Sequence, residues 1–121
     1  MAVSNLILTA LATNLFQDTN NANSAIAVKA ASGTIFVVYV DNSANAAKSY
    51  VKFFDTNAAV TVGTTVPDWC IQVAASFKGN VLIATAGVAF TTGLQVATVT
   101  TGGTAGVTSP SSAVVVQIAY T

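Results

Sequence analysis

The 121-residue chain contains no histidine, no glutamate and no arginine, and it has one cysteine and two prolines. The three missing residue types are among those that most often act as general base, general acid and anion clamp in enzymes. Cys70 has no partner for an intrachain disulfide and no imidazole to activate it, and a zinc site would have almost no ligands. We therefore expect no enzyme activity, no metal and no cofactor, and we expect Cys70 to be a buried, inert thiol.

Charge is scarce as well. Charged residues make up 7% of the chain, with four cations and four anions giving a net charge of zero, against roughly 25% in an average soluble domain. No charged residue follows Lys78, so the basic stripe that nucleic-acid binding requires is missing. Because a neutral protein lacks the self-repulsion that favours monomers, we expect association with itself or with a partner.

Long apolar runs are also missing, although 53% of the residues are hydrophobic. A membrane-spanning helix needs about 18 or more consecutive apolar residues, and Thr, Asn, Ser or Gly interrupts every candidate. The N-terminal stretch MAVSNLILTALATNLFQD has no basic residue ahead of its apolar run, which argues against a secretory signal. We expect a protein made in a cytoplasm, with no membrane partner.

The residues that are abundant predict an all-β chain. Thr, Val, Ile, Phe and Tyr dominate the periodic segments, Gly and Asn separate them, and no window has a helical apolar stripe. We predict a single-domain antiparallel β-sandwich over residues 1–121, jelly-roll or Ig-like, with about eight or nine short strands. Residues 1–30 are a candidate N-terminal attachment or exchange segment. The predicted strands are residues 5–10, 25–30, 34–40, 48–54, 69–74, 80–84, 88–92, 94–100 and 113–120, the last of them central because both of its faces are apolar.

Four loops follow from the turn residues, at 18–24, 41–47, 61–68 and 101–112. The last, TGGTAGVTSPSS, is long, flexible and uncharged, which in a compact domain indicates function or mobility. The Asp18 and Asp41 loops superficially resemble calcium loops, but they lack the glycine and the terminal glutamate of such sites, so Asx turns are favoured. Residues 57–60 are a candidate for one helical turn.

The segment SYVKFFD at 49–55 presents two different faces. At a period of two, Val51 and Phe53 face the core, while Tyr50 and Phe54 lie on the opposite face among lysines. Two interpretations are open for the second face: the rings pack under a neighbouring loop together with the lysine stems, or they dock on another subunit with the ammonium groups in water.

Trp69 follows Pro67 and Asp68 at the start of a predicted strand. Its ordinary role there is to close the edge of a sandwich, and its alternative role is to contact a partner. Tyr50, Phe54 and Trp69 are therefore the candidate interface residues.

The order of DNS (41–43), SYVKFFD (49–55), TVGTTVPD (61–68) and GVAFTTGL (87–94) resembles a small β-sandwich protein type encoded by tailed bacteriophages. In that type a strand ending in Y-x-K-x-x-D precedes a G-T-x-x-P turn and a later F-[ST]-T-G-L segment. The matching residues here are Tyr50, Lys52, Asp55, Gly63, Thr64, Pro67, Phe90, Thr91, Thr92, Gly93 and Leu94. The resemblance spans residues 34–120, and it implies a virion structural component without enzyme activity or cofactor.

The expected function is that of a capsid decoration or cement subunit located in the virion. Its expected partners are itself, as a homotrimer, and the major capsid protein or another virion protein. One alternative is a tail or head-fibre module that binds a host surface through the 101–112 loop. A further alternative is a pilin-like or surface-lattice subunit, which would need an export signal.

Overall fold

The computed structural model describes residues 12–121, and within that range the chain forms eight strands and no helix. No segment of the described range is therefore a helix long and apolar enough to cross a membrane. The strands are β1 (Asn14–Asp18), β2 (Ile26–Lys29), β3 (Gly33–Asp41), β4 (Ser49–Phe54), β5 (Trp69–Val73), β6 (Lys78–Phe90), β7 (Leu94–Val99) and β8 (Val115–Tyr120).

The strands form two antiparallel sheets of four. The front sheet has the order β1-β8-β3-β6, and the back sheet has the order β2-β7-β4-β5. This arrangement confirms the predicted all-β antiparallel sandwich. It also confirms the central position of the last strand, since β8 lies between β1 and β3.

The core lies between the two sheets and is built by alternate residues of each strand. Val51 and Phe53 of β4 face it, as predicted, and both are almost fully buried. Complete burial of such side chains stabilises the fold by roughly 1.5–3 kcal/mol each. The other fully enclosed members of the core are Ile35, Val38, Val40, Val73, Phe90, Leu94, Val96, Val114, Val116 and Ile118.

The two strands predicted at 80–84 and 88–92 are in fact one strand, β6. Its pairing with β3 jumps from Ile35 opposite Val88 to Val37 opposite Ile83, so residues 84–87 form a bulge. Gly87 has a φ of 80°, a conformation that glycine adopts without the cost that other residues incur. The glycine that signals a turn in the sequence therefore bends a strand that continues.

Two other local predictions need correction. β1 was not predicted, because NLFQD lacks a regular alternation and has no turn residue before it. The helical turn predicted at 57–60 does not form: the carbonyls of Thr56 and Ala58 accept hydrogen bonds from Gln95 Nε2, at 3.1 Å and 2.7 Å. The strand predicted at 5–10 lies outside the described residues.

The 41–47 loop is fixed by a buried asparagine. Asn42 Nδ2 donates to the carbonyls of Ala47 at 3.2 Å and Ala74 at 3.0 Å. Asn42 Oδ1 accepts from Ser49 Oγ at 2.9 Å and from Asn45 Nδ2 at 3.0 Å. Since a buried amide is costly unless its donors and acceptors are paired, this network holds the loop against the start of β4.

Candidate functional site

The described residues contain no cluster of three or more His, Cys, Asp or Glu side chains that could hold a metal. The Asp18 and Asp41 loops are Asx turns: Asp18 Oδ1 accepts from Asn20 N at 3.0 Å, and Asp41 Oδ1 accepts from Ser43 N at 2.9 Å. The prediction of a buried Cys70 is wrong, because Cys70 is exposed. Its neighbours on β5 face the core, so strand alternation turns the thiol outward.

Lys52 is the most unusual side chain on the outer face of the back sheet. It is 0% exposed, and its Nζ donates to the main-chain carbonyls of Thr104 at 3.1 Å and Gly106 at 2.7 Å. Burial lowers the pKa of this ammonium below its ordinary value. The structure thus corrects the expectation that the ammonium groups of this face remain in water, since Lys52 instead holds the 101–112 loop over β4.

Phe54 lies on the same outer face and is 1% exposed. Directly opposite it on β7 is Gln95, whose amide is bonded to the segment after β4. The ring therefore offers no surface to a second molecule, and its candidate docking role is corrected to packing within the chain. Of the two interpretations left open for this face, coverage by the chain's own loops is the one that the structure favours for Phe54 and Lys52.

Tyr50 lies at the margin of this covered area and is half-buried. Its hydroxyl donates to Gln72 Oε1 at 3.1 Å, and Lys48 Nζ lies 5.8 Å from the centre of its ring. The 101–112 loop reaches the ring at Gly102, where an added Cβ would lie 2.8 Å from Tyr50 Cε1. Glycine is thus required for the close approach, and the interface role of Tyr50 stays a prediction.

Asp55 joins two segments that the sequence places far apart. Its carboxylate accepts hydrogen bonds from the main-chain N–H groups of Thr91 at 2.8 Å, Thr92 at 2.9 Å and Gly93 at 3.4 Å, and from the hydroxyls of both threonines. Hydrogen bonds from main-chain N–H groups lower the pKa of Asp55 to about 2. The bond from Thr92 has the largest effect, the bonds from Thr91 and Gly93 add to it, and burial acts in the opposite direction. The Y-x-K-x-x-D and F-[ST]-T-G-L motifs are therefore joined by this set of hydrogen bonds.

Trp69 packs at the open edge of the core. Its ring lies edge-on to Phe53, with 6.4 Å between the ring centres, and it is half-buried on the last strand of the back sheet. It lines an apolar cavity of about 330 Å³ between β5 and β6, together with Ile71, Leu82 and Val88. Trp69 thus contacts the core and a groove at once, and its role toward a partner stays a prediction.

The outer face of the front sheet is different, because it carries exposed apolar side chains in one row. Leu15 pairs with Ala119, Ala119 with Val37, and Val37 with Ile83, so these four residues, which we call the apolar row, cross all four strands on one face. Leu15 is 67% exposed and Ile83 is 65% exposed. Sequence reasoning missed the row, since Leu15 belongs to the unpredicted β1 and Ile83 lies near the unpredicted bulge.

The row beside it is uncharged and polar, with Gln17, Gln117, Tyr39 and Asn80 paired in turn. Gln117 Nε2 donates to Gln17 Oε1 at 2.7 Å. An apolar strip next to amides and a tyrosine hydroxyl has the composition of an interface centre with its polar margin. The outer face of the front sheet is therefore the candidate functional site.

Comparisons of the chain with protein-family models, with characterised proteins and with solved structures found no match.

Proposed function

We propose that this chain is a non-enzymatic virion structural protein, a capsid decoration or cement subunit that stabilises the head of a tailed bacteriophage. The observation that carries the proposal is the contrast between the two outer faces. The back sheet is covered by the chain's own loops at Lys52 and Phe54, whereas the front sheet presents exposed Leu15 and Ile83 in an uncharged strip. The sequence resemblance to phage β-sandwich proteins is the reason for proposing that the chain is part of a virion.

Cementing needs no chemistry, since a subunit that binds only the assembled shell stabilises it by mass action. Occupancy at a concentration of 100 times the Kd is worth about 2.7 kcal/mol per site. A specific contact of this kind should bury at least about 1,000 Å². The apolar row would form its centre, and the neighbouring amide row would form part of its rim.

The same geometry weakens the case for a fibre module that recognises a host through the 101–112 loop. The carbonyls of Thr104 and Gly106 in that loop are bonded to Lys52, and Gly102 is packed on Tyr50. These two carbonyls are therefore not free to contact a host surface, and their bonds to Lys52 hold the loop on the sandwich. We therefore favour the shell over a host surface as the partner.

Charge placed in the apolar row tests the proposal. Leu15→Asp and Ile83→Asp should each lower occupancy on empty heads about 30-fold or more, because loss of a central apolar contact commonly costs ~2 kcal/mol. The matched control is Val66→Asp, since Val66 is 71% exposed but lies in the connection after β4. All three proteins should keep the thermal midpoint of the parent, because the replaced side chains lie mostly in solvent.

Occupancy is measured by co-sedimentation with heads assembled from the major capsid protein of the same phage. If Leu15→Asp and Ile83→Asp bind as well as the parent, the front face is not the docking surface. If Val66→Asp loses as much binding as they do, the effect of charge is not specific to that face.

A further inference from the structure

An uncharged and mostly apolar groove runs along the seam where the two sheets end. β5 is the last strand of the back sheet and β6 is the last strand of the front sheet. Two adjoining cavities of about 330 Å³ and 280 Å³ follow this seam, and both are lined by Ile71. Trp69 and Val88 line the first cavity, Phe77 lines the second, and none of the described residues lining either is charged.

The edge of β5 beside this groove is unprotected. Within residues 12–121, β5 pairs only with β4, in a register without shifts, so the main-chain N–H and C=O groups on its other side face no strand. Natural edge strands are usually guarded by charges, prolines or bulges, and WCIQV has none of them. A free edge next to an apolar groove is the geometry that binds an added strand.

These features define what the groove can bind. The occupant must be extended, so that it pairs with β5, and it must be uncharged, because the groove offers no counter-charge. It must also carry apolar side chains over about the length of β5, which has 5 residues. The order of the sheet and the lining of the groove thus specify a short apolar strand.

We propose that the occupant is the segment at residues 5–10 of a second copy of this chain. Its sequence, NLILTA, is uncharged and places Leu6, Ile7 and Leu8 together. Its composition predicts a strand. Residues 1–11 lie outside the described residues.

The position of β1 explains why the segment comes from another copy. The segment enters the fold at β1, which is the edge strand of the front sheet opposite to β6. In each subunit the segment is therefore joined to the chain at one edge of the front sheet, and the groove lies at the other edge. Such head-to-tail contacts close into rings when the rotation permits, and a ring is the form that the expected homotrimer would take. Contacts of this kind between copies do not require attachment to a capsid.

Disulfide trapping in the full chain tests this pairing. Six variants, Asn5→Cys through Ala10→Cys, each keep the native Cys70, which lies exposed on β5. Opposite residues of antiparallel strands have Cα atoms about 4.5–5.5 Å apart, which suits a disulfide. Under mild oxidation we expect covalent dimers and trimers on non-reducing gels from alternate positions of the scan. The same variants carrying Cys70→Ser are the matched controls and should give none.

The fluorescence of Trp69, the one tryptophan of the chain, gives a second reading of the groove. Dilution of the parent protein should shift its emission to longer wavelength as the groove empties, whereas the double variant Leu6→Asp with Leu8→Asp should show the long-wavelength emission at every concentration.

Disulfides that form within single chains would overturn the proposal in favour of the chain's own segment. Absence of trapping at all six positions would overturn it as well.

Discussion

Asp55 ties the end of β4 to the turn between β6 and β7, and Asp55→Asn tests how strongly this connection stabilises the sandwich. The asparagine keeps one carbonyl oxygen but loses the charge that strengthens hydrogen bonds to Thr91, Thr92 and Gly93. We expect a variant that folds with a lower free energy of unfolding at pH 7.

The magnitude follows from the pKa of the carboxyl group. Folding lowers it from 3.8 to about 2, and since each tenfold change in proton affinity is worth about 1.4 kcal/mol, the upper limit is about 2.5 kcal/mol. Asp55 remains partly open to solvent, and screening reduces the expected loss to roughly 1–2 kcal/mol. Because the folded-state pKa is depressed, this stability is complete above pH 3.8 and is lost as the pH falls toward 2.

Urea unfolding curves at pH 7 and at several pH values down to 2 measure the effect. The parent protein should lose stability between pH 4 and 2 by roughly 1–2 kcal/mol more than Asp55→Asn does. The matched control is Asp41→Asn, whose carboxylate bonds only to Ser43 within its own loop. Equal losses for the two variants at pH 7, or an acid response of Asp55→Asn like that of the parent, would show that the Asp55 carboxylate does not supply this stability.

Two further predictions concern β4. Phe53→Ala should cost ~3–5 kcal/mol, because the ring is 1% exposed and fills the core against Trp69; urea or thermal unfolding measures this, and a loss below about 1 kcal/mol would contradict the core assignment. Burial lowers the pKa of Lys52 from its ordinary value of 10.5. Between the folded-state pKa and 10.5, the unfolded chain therefore binds more protons than the folded protein does, and the free energy of unfolding should rise as the pH increases through this range. Lys52→Met should lack that rise, and an unchanged pH slope in this variant would show that Lys52 is not the group responsible.

The sequence predicted the sheets well because strand alternation and turn residues act locally. β3, β4, β7 and β8 each lie close to their predicted positions, since apolar residues at a period of two and flanking Gly or Asn define them. β6 was divided into two because a glycine within a bulge has the same local signal as a glycine in a turn. Only the pairing with β3 distinguishes the two cases.

The candidate site was harder to predict because it depends on which face of each sheet is covered. The lysines beside Tyr50 and Phe54 indicated a surface, yet Lys52 is buried by two carbonyls of a loop about 50 residues later in the chain. The apolar row arises only when four strands are aligned in register. Both features depend on contacts between residues that are distant in the sequence. Such contacts leave no local sequence pattern from which they could be predicted.

The proposed cementing role can be tested most directly by cryo-EM of virions from a tailed phage shown to contain this chain. We expect density for the sandwich repeated over the head, with the apolar row of the front sheet, including Leu15 and Ile83, turned toward the major capsid protein. Density confined to the tail or to a fibre, or subunits on the head that contact the shell through the loop-covered back sheet, would contradict it.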